Sequence, residues 1–337
     1  MKPGGDVEDT VSVDVTGGVR LWHGGEFFAD FLVWQGYGLS NSLGAAGFPN
    51  GEAFRIGTTY PDAYISRAFI RETIGFSGEK EAADDAPFEL RGAVDARRLT
   101  FTVGHFSAKD IFDSNAYAND SRTQFMNWSV MANTAWDYPA NTLGFTNGAA
   151  VEWTAHTCTA RFFAYITHAH MGNYQETINN PNLSANIMLT RAYRSKYGFG
   201  LNLEQEIHKD LGAFMRLGWS DGKNETWEFT DVDRTASAGL SLKGARWRRP
   251  EDTVGLGAVV NGISAAHRQF LAAGGLGITV GDGALDYRSE RLAEAYYNWK
   301  VAKRLGLTLD YQYEKDPAYN HARGPIHIFA TRLHTEF

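Results

Sequence analysis

Apolar and polar residues alternate with a period of two along most of the chain. Residues 305–314, LGLTLDYQYE, place three leucines and two tyrosines on one face and Gly, Thr, Asp, Gln and Glu on the other. Because successive side chains of a strand point to opposite faces, this segment is predicted to be an amphipathic strand of about ten residues. Comparable segments predict thirteen strands, which start near residues 10, 26, 64, 98, 143, 157, 190, 211, 234, 253, 289, 305 and 325. The pattern therefore indicates an all-β fold.

The connections between these strands alternate between short and long. Short turns are predicted at 23–25, 208–210 and 302–304. Long, polar, glycine-rich segments are predicted at about 38–62, 111–141, 169–185, 264–288 and 315–324. This alternation is typical of an antiparallel up-and-down β-barrel in a bacterial outer membrane, with short periplasmic turns and long extracellular loops. Single-chain barrels of this kind have even strand numbers, so we also expect an upward strand before the first predicted one.

The alternative all-β fold is a soluble sandwich, whose turns should be short at both ends and whose outward face should be polar. Aromatic residues instead lie towards strand ends, where a membrane–water interface would hold them. These residues are Tyr37, Trp219, Tyr297, Trp299, Tyr311 and Tyr313. The polar faces carry charges that suit a water-filled lumen better than a dry core, namely Arg67, Arg71, Glu204, Glu206, Arg216, Asp310 and Glu314. The residue types on the two strand faces favour the membrane barrel, and outer-membrane lipid and lipopolysaccharide are therefore expected around it.

Composition narrows the function only slightly. The net charge is −7 at pH 7, which argues against nucleic acid as the main partner. The single cysteine, Cys158, excludes an intrachain disulfide framework. The sequence contains no run of about 18 uncharged apolar residues, so no transmembrane helix is predicted. No signal peptide is visible in residues 1–5, and we expect that a leader has been removed from the chain.

The last seven residues, TRLHTEF, continue the alternation to the final position. Phe337 shares its face with Thr335 and Leu333, whereas Glu336 and His334 belong to the other face. A terminal strand with these faces would present apolar groups to lipid and polar groups to the lumen. The terminal aromatic residue resembles the tag that the barrel-assembly machinery recognises, so this machinery is an expected partner.

Several long segments resemble the carbohydrate-selective porins of the OprB type. The matching segments are WQGYGLSNSLGAAGFPNGEAFRIG (34–57), FIRETIGFSGE (69–79), LTFTVGHFSAKDIFDSNAYANDSRTQFMNW (99–128), AWDYPANTLG (135–144), RRPEDTVGLG (248–257) and much of 281–337. The resemblance implies one transmembrane β-barrel domain over residues 1–337, with about 12–16 strands. The chain departs from the family in lacking a further N-terminal stretch and in a shorter region around 154–170.

The resemblance also implies a function. A carbohydrate-selective porin lets mono- or small oligosaccharides diffuse passively into the periplasm, with no enzymatic activity and no cofactor. A homo-oligomer is compatible with this assignment. Two alternatives from other classes are a soluble all-β carbohydrate-binding module and an outer-membrane barrel enzyme that uses lumen carboxylates. The sequence shows no Ser-His-Asp arrangement and no clear acid–base pair that would favour the enzyme.

The two long segments at 38–62 and 111–141 are predicted to fold inward and constrict the pore, because loops of this length are usually functional. Sugar selectivity requires hydrogen-bonding groups for hydroxyls and aromatic rings that stack on the apolar sugar face. Arginine suits this role because its planar fork offers five donors. The candidate pore-lining residues are Trp34, Glu52, Arg55, Arg67, Arg71, Asp110, Asp113, Arg122, Trp128 and Trp136.

Two of these predictions have explicit alternatives. Arg67 and Arg71 lie four residues apart in a predicted strand, about 13 Å, and would form a sugar track on the lumen face. They could equally pair with acidic residues of neighbouring strands, such as Glu26 or Asp30, and stiffen the wall. Trp34 is a candidate for stacking on sugars, or a wall residue packed under the 38–62 loop.

Metal binding is the weaker interpretation of two polar groups. His168 and His170 share a face in a predicted strand, but no third ligand is evident, so a pair at a loop edge is favoured. Asp110, Asp113, Asn115 and Asp120 could supply oxygen ligands to Ca²⁺, although their spacing is not that of an EF-hand. No metal or cofactor is therefore expected.

Overall fold

The computed structural model describes residues 7, 9–36, 44–51, 60–83, 87–137, 145–155, 158–227 and 231–336. Within these residues, thirteen long strands form two antiparallel sheets. The five-stranded sheet contains, in spatial order, β1 (Val11–Trp22), β2 (Gly25–Gln35), β3 (Asp62–Gly75), β6 (Arg97–Phe106) and β7 (Thr146–Ala155). The short strands β4 (Lys80–Ala83) and β5 (Gly92–Asp95) pair only with each other. The eight-stranded sheet contains, in spatial order, β8 (Cys158–Met171), β9 (Ala192–His208), β10 (Leu211–Ser220), β11 (Arg234–Gly244), β12 (Arg249–Gly262), β13 (Glu290–Ala302), β14 (Leu305–Lys315) and β15 (Ile326–Thr335).

The helices of the described residues are short and lie in the long connections or turns. The α-helices are α1 (Ala108–Phe112), α2 (Trp128–Met131), α3 (Tyr174–Asn179) and α4 (Ala265–Ala272). The 3₁₀ helices are Gly44–Gly47, Pro181–Leu183, Ile187–Thr190, Ala245–Trp247 and Pro317–Tyr319. In this described part of the chain, no helix has the length and apolar character needed to cross a membrane.

Each of the thirteen predicted strands coincides with one long strand of the structure. Within each sheet, consecutive long strands pair as antiparallel neighbours, which is the predicted up-and-down order. Strand boundaries differ from the prediction by a few residues; for example, β9 begins at residue 192 rather than near 190. The all-β prediction is confirmed, because an alternation that must keep one face apolar fixes both the presence and the phase of a strand.

The polarity of the two wall faces is inverted relative to a water-soluble protein. In β14, Leu309 is 58% exposed on the outer face, whereas Gln312 and Glu314 on the inner face have no exposed surface. Other strands repeat the exposed apolar face with Ile65, Ile70, Phe162, Ile166, Leu256 and Leu333. A wall with apolar groups outside and polar groups inside is stable when lipid surrounds it and water or polar groups fill its lumen.

One hydrophobic core lies inside the wall. Phe125, in the long connection between β6 and β7, packs edge-on against Tyr296 and Phe214, with ring centroids 4.9 and 5.4 Å away. Val130 of the same connection joins this cluster together with Val259 of β12. The connection is therefore packed into the lumen as a folded layer.

Two seams interrupt the pairing of wall strands. Within the described residues, β1 is not paired with β15, and β7 is not paired with β8. Because thirteen strands is an odd number, β1 and β15 both run from the end with long connections to the end with short turns. The additional upward strand expected from the even-number rule stays a prediction.

The short-turn end contains one connection that is not short. The predicted turns are confirmed at residues 23–24, 209–210 and 303–304. The connection between β3 and β6, at residues 76–96, instead contains the hairpin of β4 and β5. Its charged sequence does not alternate clearly, so the period of two did not reveal these two strands.

Candidate functional site

Residues 107–137, here called the inner segment, lie across the inner face of the eight-stranded sheet. The segment begins at Ser107, directly after β6, and passes through α1 and α2. Side chains of seven wall strands are hydrogen-bonded to it, namely Tyr165, Thr167, Lys196, Asn202, Arg216, Asn261, Glu294, Asn298, Gln312 and Arg332. The described part of the predicted 111–141 loop is thus folded inward.

Asp113 anchors the inner segment to the wall. Its carboxylate accepts a hydrogen bond from Arg216 Nε at 2.8 Å and one from Asn202 Nδ2 at 2.8 Å. Arg216 has no exposed surface, and its remaining donors reach backbone carbonyls of Ala118 and Val130 at 2.6 and 3.1 Å. The structure therefore places the candidate Asp113 in a buried ion pair, where its role is to hold the segment in place.

A second anchor lies at the start of α2. Glu294 of β13 accepts hydrogen bonds from the backbone N–H groups of Met126 and Asn127. Asn127 caps α2 by accepting from Ser129 N at 2.9 Å, and its Nδ2 donates to Gln312 Oε1 at 2.9 Å. A helix start in a lumen needs such acceptors because its first backbone N–H groups have no partner within the helix.

The described residues of the first long loop, 44–51, meet the inner segment inside the lumen. Phe48 packs against Trp128, and its carbonyl accepts from Trp128 N at 3.2 Å. Gln312 of the wall donates to the carbonyl of Pro49 at 2.8 Å. Two candidates of this loop, Glu52 and Arg55, lie outside the described residues.

Arg67 projects from β3 to the inner face of the five-stranded sheet. Its Nε and Nη2 donate to the two carboxylate oxygens of Asp110 at 2.7 and 3.3 Å, and Nη1 donates to Asp30 at 2.8 Å. The guanidinium carbon lies 4.8 and 5.0 Å from the ring centroids of Phe88 and Phe145. The expected pairing of Arg67 with Asp30 is present, and the side chains of Arg67 and Asp110 remain 15% and 33% exposed.

Arg71 lies on the same inner face, nearer the short-turn end. Its Nη1 donates to the carbonyl of Phe88 at 2.6 Å. The guanidinium carbon is 5.2 and 5.4 Å from the rings of Phe28 and Phe69. Glu26, the other suggested partner of these arginines, instead pairs with Arg20 at 3.3 Å. Arg67 and Arg71 thus lie one after the other along the same lumen face, and each guanidinium packs against aromatic rings.

The three candidate tryptophans are largely buried. Trp34 packs with Leu32 and Phe145 on the inner side of β2, which favours its interpretation as a wall residue. Trp136 packs edge-on against Phe112, with ring centroids 6.0 Å apart. Since Trp128 is only 7% exposed and contacts Phe48, these rings contribute to packing between loops and wall.

The inner segment contacts strands on both sides of each seam. Arg122 is paired with Asp14 of β1 at 2.5 Å, whereas Arg332 of β15 donates to the carbonyl of Gln124 at 3.0 Å. At the other seam, α1 packs against both β7 and β8. The candidate Arg122 therefore links the inner segment to the edge of the five-stranded sheet.

One lysine of the inner segment is charged at an energetic cost. Lys109 of α1 donates to the carbonyl and side-chain oxygens of Asn119 at 3.0 and 2.6 Å. Burial lowers the pKa of Lys109 to about 8, although the nearby carboxylates of Asp113 and Asp110 act in the opposite direction. Its two oxygen partners keep this side chain inside the segment.

The possible metal ligands are separated by their partners. Asp110 binds Arg67, Asp113 binds Arg216, and Asp120 accepts from Thr123 Oγ1 at 2.7 Å. In the part of the chain that the structure describes, no group of three or more His, Cys, Asp or Glu side chains could hold a metal ion. Ion pairs and turn contacts thus give each of these three carboxylates a different partner.

The antiparallel up-and-down wall, the apolar outer face and the inward-folded segment define a porin-type outer-membrane β-barrel. The chain belongs to the carbohydrate-selective porin OprB family, whose sequence model matches residues 1–165 and 157–337. The fold is similar to the high-pH structure of Pseudomonas putida OprB, with a TM-score of 0.68 and 16% identity, over 97% of this chain and 87% of that chain. The low-pH structure of Pseudomonas putida OprB gives a TM-score of 0.45 and 12% identity, over 97% of this chain and 84% of that chain. No curated protein matches the chain.

Membership of this family confirms the predicted fold class and the predicted function, a carbohydrate-selective porin of the outer membrane. The soluble binding module is contradicted by the same finding. Sequence reasoning did not identify the wall residues that hold the inner segment, such as Asn202, Glu294 and Gln312. The sequence shows each of them only as a polar residue at an inward position of a strand. Every other lumen residue has the same pattern, so the pattern does not single out the residues that hold the inner segment.

Proposed function

We propose that this porin lets mono- and small oligosaccharides diffuse passively into the periplasm along a water-filled path between the inner segment and the five-stranded sheet. The observation that carries this proposal is the unequal filling of the two inner faces. The contacts of the inner segment with the eight-stranded sheet are buried, as at Arg216 and Glu294. On the opposite side, the Arg67 and Asp110 side chains keep exposed surface.

The chemistry of this path suits neutral, hydroxyl-rich solutes. Arg67 offers donors and Asp110 offers acceptors, and the rings of Phe88 and Phe145 lie beside them. The guanidinium is compensated by two carboxylates, so the site attracts hydroxyl groups without a strong preference for free anions. Weak contacts of this kind permit release, which transport requires.

The inner segment and the 44–51 residues together would set the narrowest cross-section of the pore. Their mutual contact between Phe48 and Trp128 supports a constriction built from both loops, within one barrel domain over residues 1–337. Of the candidate pore-lining residues, Arg67, Arg71, Asp110 and Arg122 fit this role best. Asp113, Trp34, Trp128 and Trp136 would instead support the constriction from behind.

Several partners belong to the same proposal. The exposed apolar side chains of the outer face would contact lipid and lipopolysaccharide, and the protein would act without catalysis. The barrel-assembly machinery would recognise Phe337, which lies outside the described residues. A homo-oligomer is compatible with this barrel.

Reconstitution in planar bilayers tests the proposal. The wild-type protein is expected to give stepwise conductance that mono- and disaccharides reduce, and liposomes that contain it should swell in those sugars. Arg67→Gln should weaken the reduction of current by sugar roughly tenfold or more, since one charge-assisted contact of about 1.5–3 kcal/mol is removed. Arg97→Gln, an exposed arginine at the start of β6, is the matched control. Wild-type channels that pass ions but no sugar would contradict the proposed function.

A further inference from the structure

The hairpin of β4 and β5 lies at the periplasmic end of the barrel. β3 ends beside the short turn at residues 23–24, because Thr73 N donates to the carbonyl of Gly24 at 2.8 Å. The chain leaves β3 at this end, forms β4 and β5, and returns into β6. Together with residues 87–90, these two strands are called the periplasmic hairpin below.

The tip of the periplasmic hairpin folds back into the lumen. The ring of Phe88 packs against those of Phe69 and Phe28, with centroids 5.8 and 6.3 Å away. Phe69 lies six residues before the end of β3, which corresponds to about 20 Å of strand. The tip therefore reaches from the periplasmic end towards the middle of the barrel.

Polar contacts hold the tip beside the candidate sugar path. Arg71 Nη1 donates to the carbonyl of Phe88 at 2.6 Å, and the guanidinium of Arg67 lies 4.8 Å from the Phe88 ring. Leu90 of the same tip packs against the aromatic cluster of Phe28 and Phe69. Phe88 thus contacts both arginines that the sequence placed along the lumen.

The backbone of Phe88 is in the left-handed region, with φ of 62°. This conformation costs a bulky L-residue about 1–2 kcal/mol. Such a residue keeps this conformation when its surroundings determine it. Here the surroundings are the lumen contacts, because the arms of β4 and β5 are mostly exposed and pair only with each other.

The base of the periplasmic hairpin is tied to the wall. Lys80 pairs with Asp95 across the hairpin, and Arg98 of β6 pairs with Glu81 at 3.1 Å. The carbonyl of Arg97 accepts from Phe76 N at 2.9 Å, which closes the base. A two-stranded hairpin is marginally stable alone, so these ties and the tip contacts fix its position.

We propose that Phe88 is a second size-determining residue of the pore, placed on the periplasmic side of the constriction formed by the inner segment. Its partly exposed ring narrows the path between Arg67 and the periplasm. A solute that has passed the inner segment then passes the Phe88 ring and the arginine pair. This inference rests on the proposed function, because it concerns the same sugar path.

The first test replaces Phe88 by alanine and measures both conductance and liposome swelling in mono-, di- and trisaccharides. Removing the ring should raise the trisaccharide rate about twofold or more and the monosaccharide rate less, because hindrance increases with solute size. Pro87→Ala, a change at the exposed neighbouring position, is the control. An unchanged dependence on sugar size in F88A, together with unchanged conductance, would overturn the inference.

The second test locates the side chain without relying on loss of a ring. In a chain with Cys158→Ser, the variant Phe88→Cys is treated with a charged thiol-specific reagent added to either side of the bilayer. Modification should lower the current at position 88, whereas Ala82→Cys on an exposed arm should show no change. Equal responses at the two positions, or none at position 88, would overturn the placement of Phe88 in the pore.

The outcomes separate this inference from the proposed function. A wild-type protein that conducts ions but not sugars would contradict the proposed function itself. A wild-type protein that transports sugars while F88A and F88C behave as their controls would contradict only the role of Phe88. Heat-modifiable migration in electrophoresis shows that each variant forms a folded barrel before it is compared.

Discussion

The two sheets of the wall satisfy their inner polar residues in different ways. In the eight-stranded sheet, Arg216, Glu294 and Gln312 are almost completely buried and bind the inner segment. In the five-stranded sheet, Arg67 and Arg71 lie against aromatic rings, and both side chains and the neighbouring Phe88 are partly exposed. The same alternation of polar and apolar residues therefore serves attachment in one half of the lumen and leaves partly exposed side chains in the other, where we propose that solutes pass.

This difference shows that an inward polar residue is not necessarily a pore-lining residue. Whether such a residue anchors a loop or lines the pore depends on the groups to which its side chain is hydrogen-bonded. A buried side chain whose donors are taken by a carboxylate and by backbone carbonyls of one loop fixes the position of that loop, as at Arg216. A side chain that keeps exposed surface together with its partner, as Arg67 does with Asp110, remains accessible to a solute.

The largest effect is expected where the inner segment is attached most firmly. Arg216→Ala leaves the Asp113 carboxylate buried without its cation, so the free energy of unfolding should fall by about 3–5 kcal/mol. Urea unfolding followed by tryptophan fluorescence measures this loss. Conductance should rise in parallel because the inner segment is released from β10.

The matched control for this change is Arg97→Ala, since Arg97 is exposed at a strand end. If R216A unfolds at the wild-type urea concentration and conducts like the wild type, Arg216 does not anchor the segment. The comparison between the two sheets would then lose its strongest element.

A smaller effect is expected at Asn127, whose Nδ2 also donates to the carbonyl of Ala45 in the first long loop at 3.2 Å. Asn127→Ala removes the cap of α2 and the hydrogen bond to Gln312, which should lower the free energy of unfolding by about 1–2 kcal/mol. The current through single channels should become noisier, because α2 is held less firmly. Asn182→Ala, in an exposed external loop, serves as the control. If N127A has single-channel currents as quiet as those of the wild type and the same free energy of unfolding, the two loops do not form one constriction that depends on Asn127.

The smallest effect on stability is expected on the side of the five-stranded sheet. Asp110→Asn removes a partly exposed charge, so the free energy of unfolding should change by less than about 1 kcal/mol. Permeation should respond more than stability does: the ratio of cation to anion permeability should fall, as measured by the reversal potential in a salt gradient.

Glu251→Gln, an exposed carboxylate on the other sheet, is the control for that measurement. A large loss of stability in D110N without any change of ion selectivity would place Asp110 among the anchoring residues. The proposed solute path would then have to be moved away from Arg67.

The sequence predicted the wall better than the lumen. Alternation located all thirteen long strands and assigned Leu309 outward and Glu314 inward, because a strand between lipid and water repeats one local rule. It also identified the long connection that folds inward, since rings such as Phe125 would be unstable in a solvated loop. Both inferences depend on residues that are close in sequence.

The partners of the candidate site residues were harder to predict. Asp113 was selected as a pore-lining group, but its role is set by Arg216, which lies 103 positions further along the chain. The periplasmic hairpin was missed because its charged arms lack alternation, and its tip is positioned by Arg71 rather than by its own sequence. The predictions for Glu52, Arg55 and Phe337 fall outside the described residues and stay predictions.

The attachment of the inner segment has a consequence for the order of folding. Neighbouring long strands within each sheet follow one another along the chain, so each pair forms with a smaller loss of loop entropy than a contact between distant parts of the chain. Asn127 and Gln312, in contrast, are separated by 185 positions, and Ser121 and Arg332 by 211. These contacts exist only after β14 and β15 have joined the sheet, and contacts of long sequence separation form slowly. A newly inserted barrel should therefore conduct through a wide, poorly selective lumen first and acquire its final pore in a later, slower step.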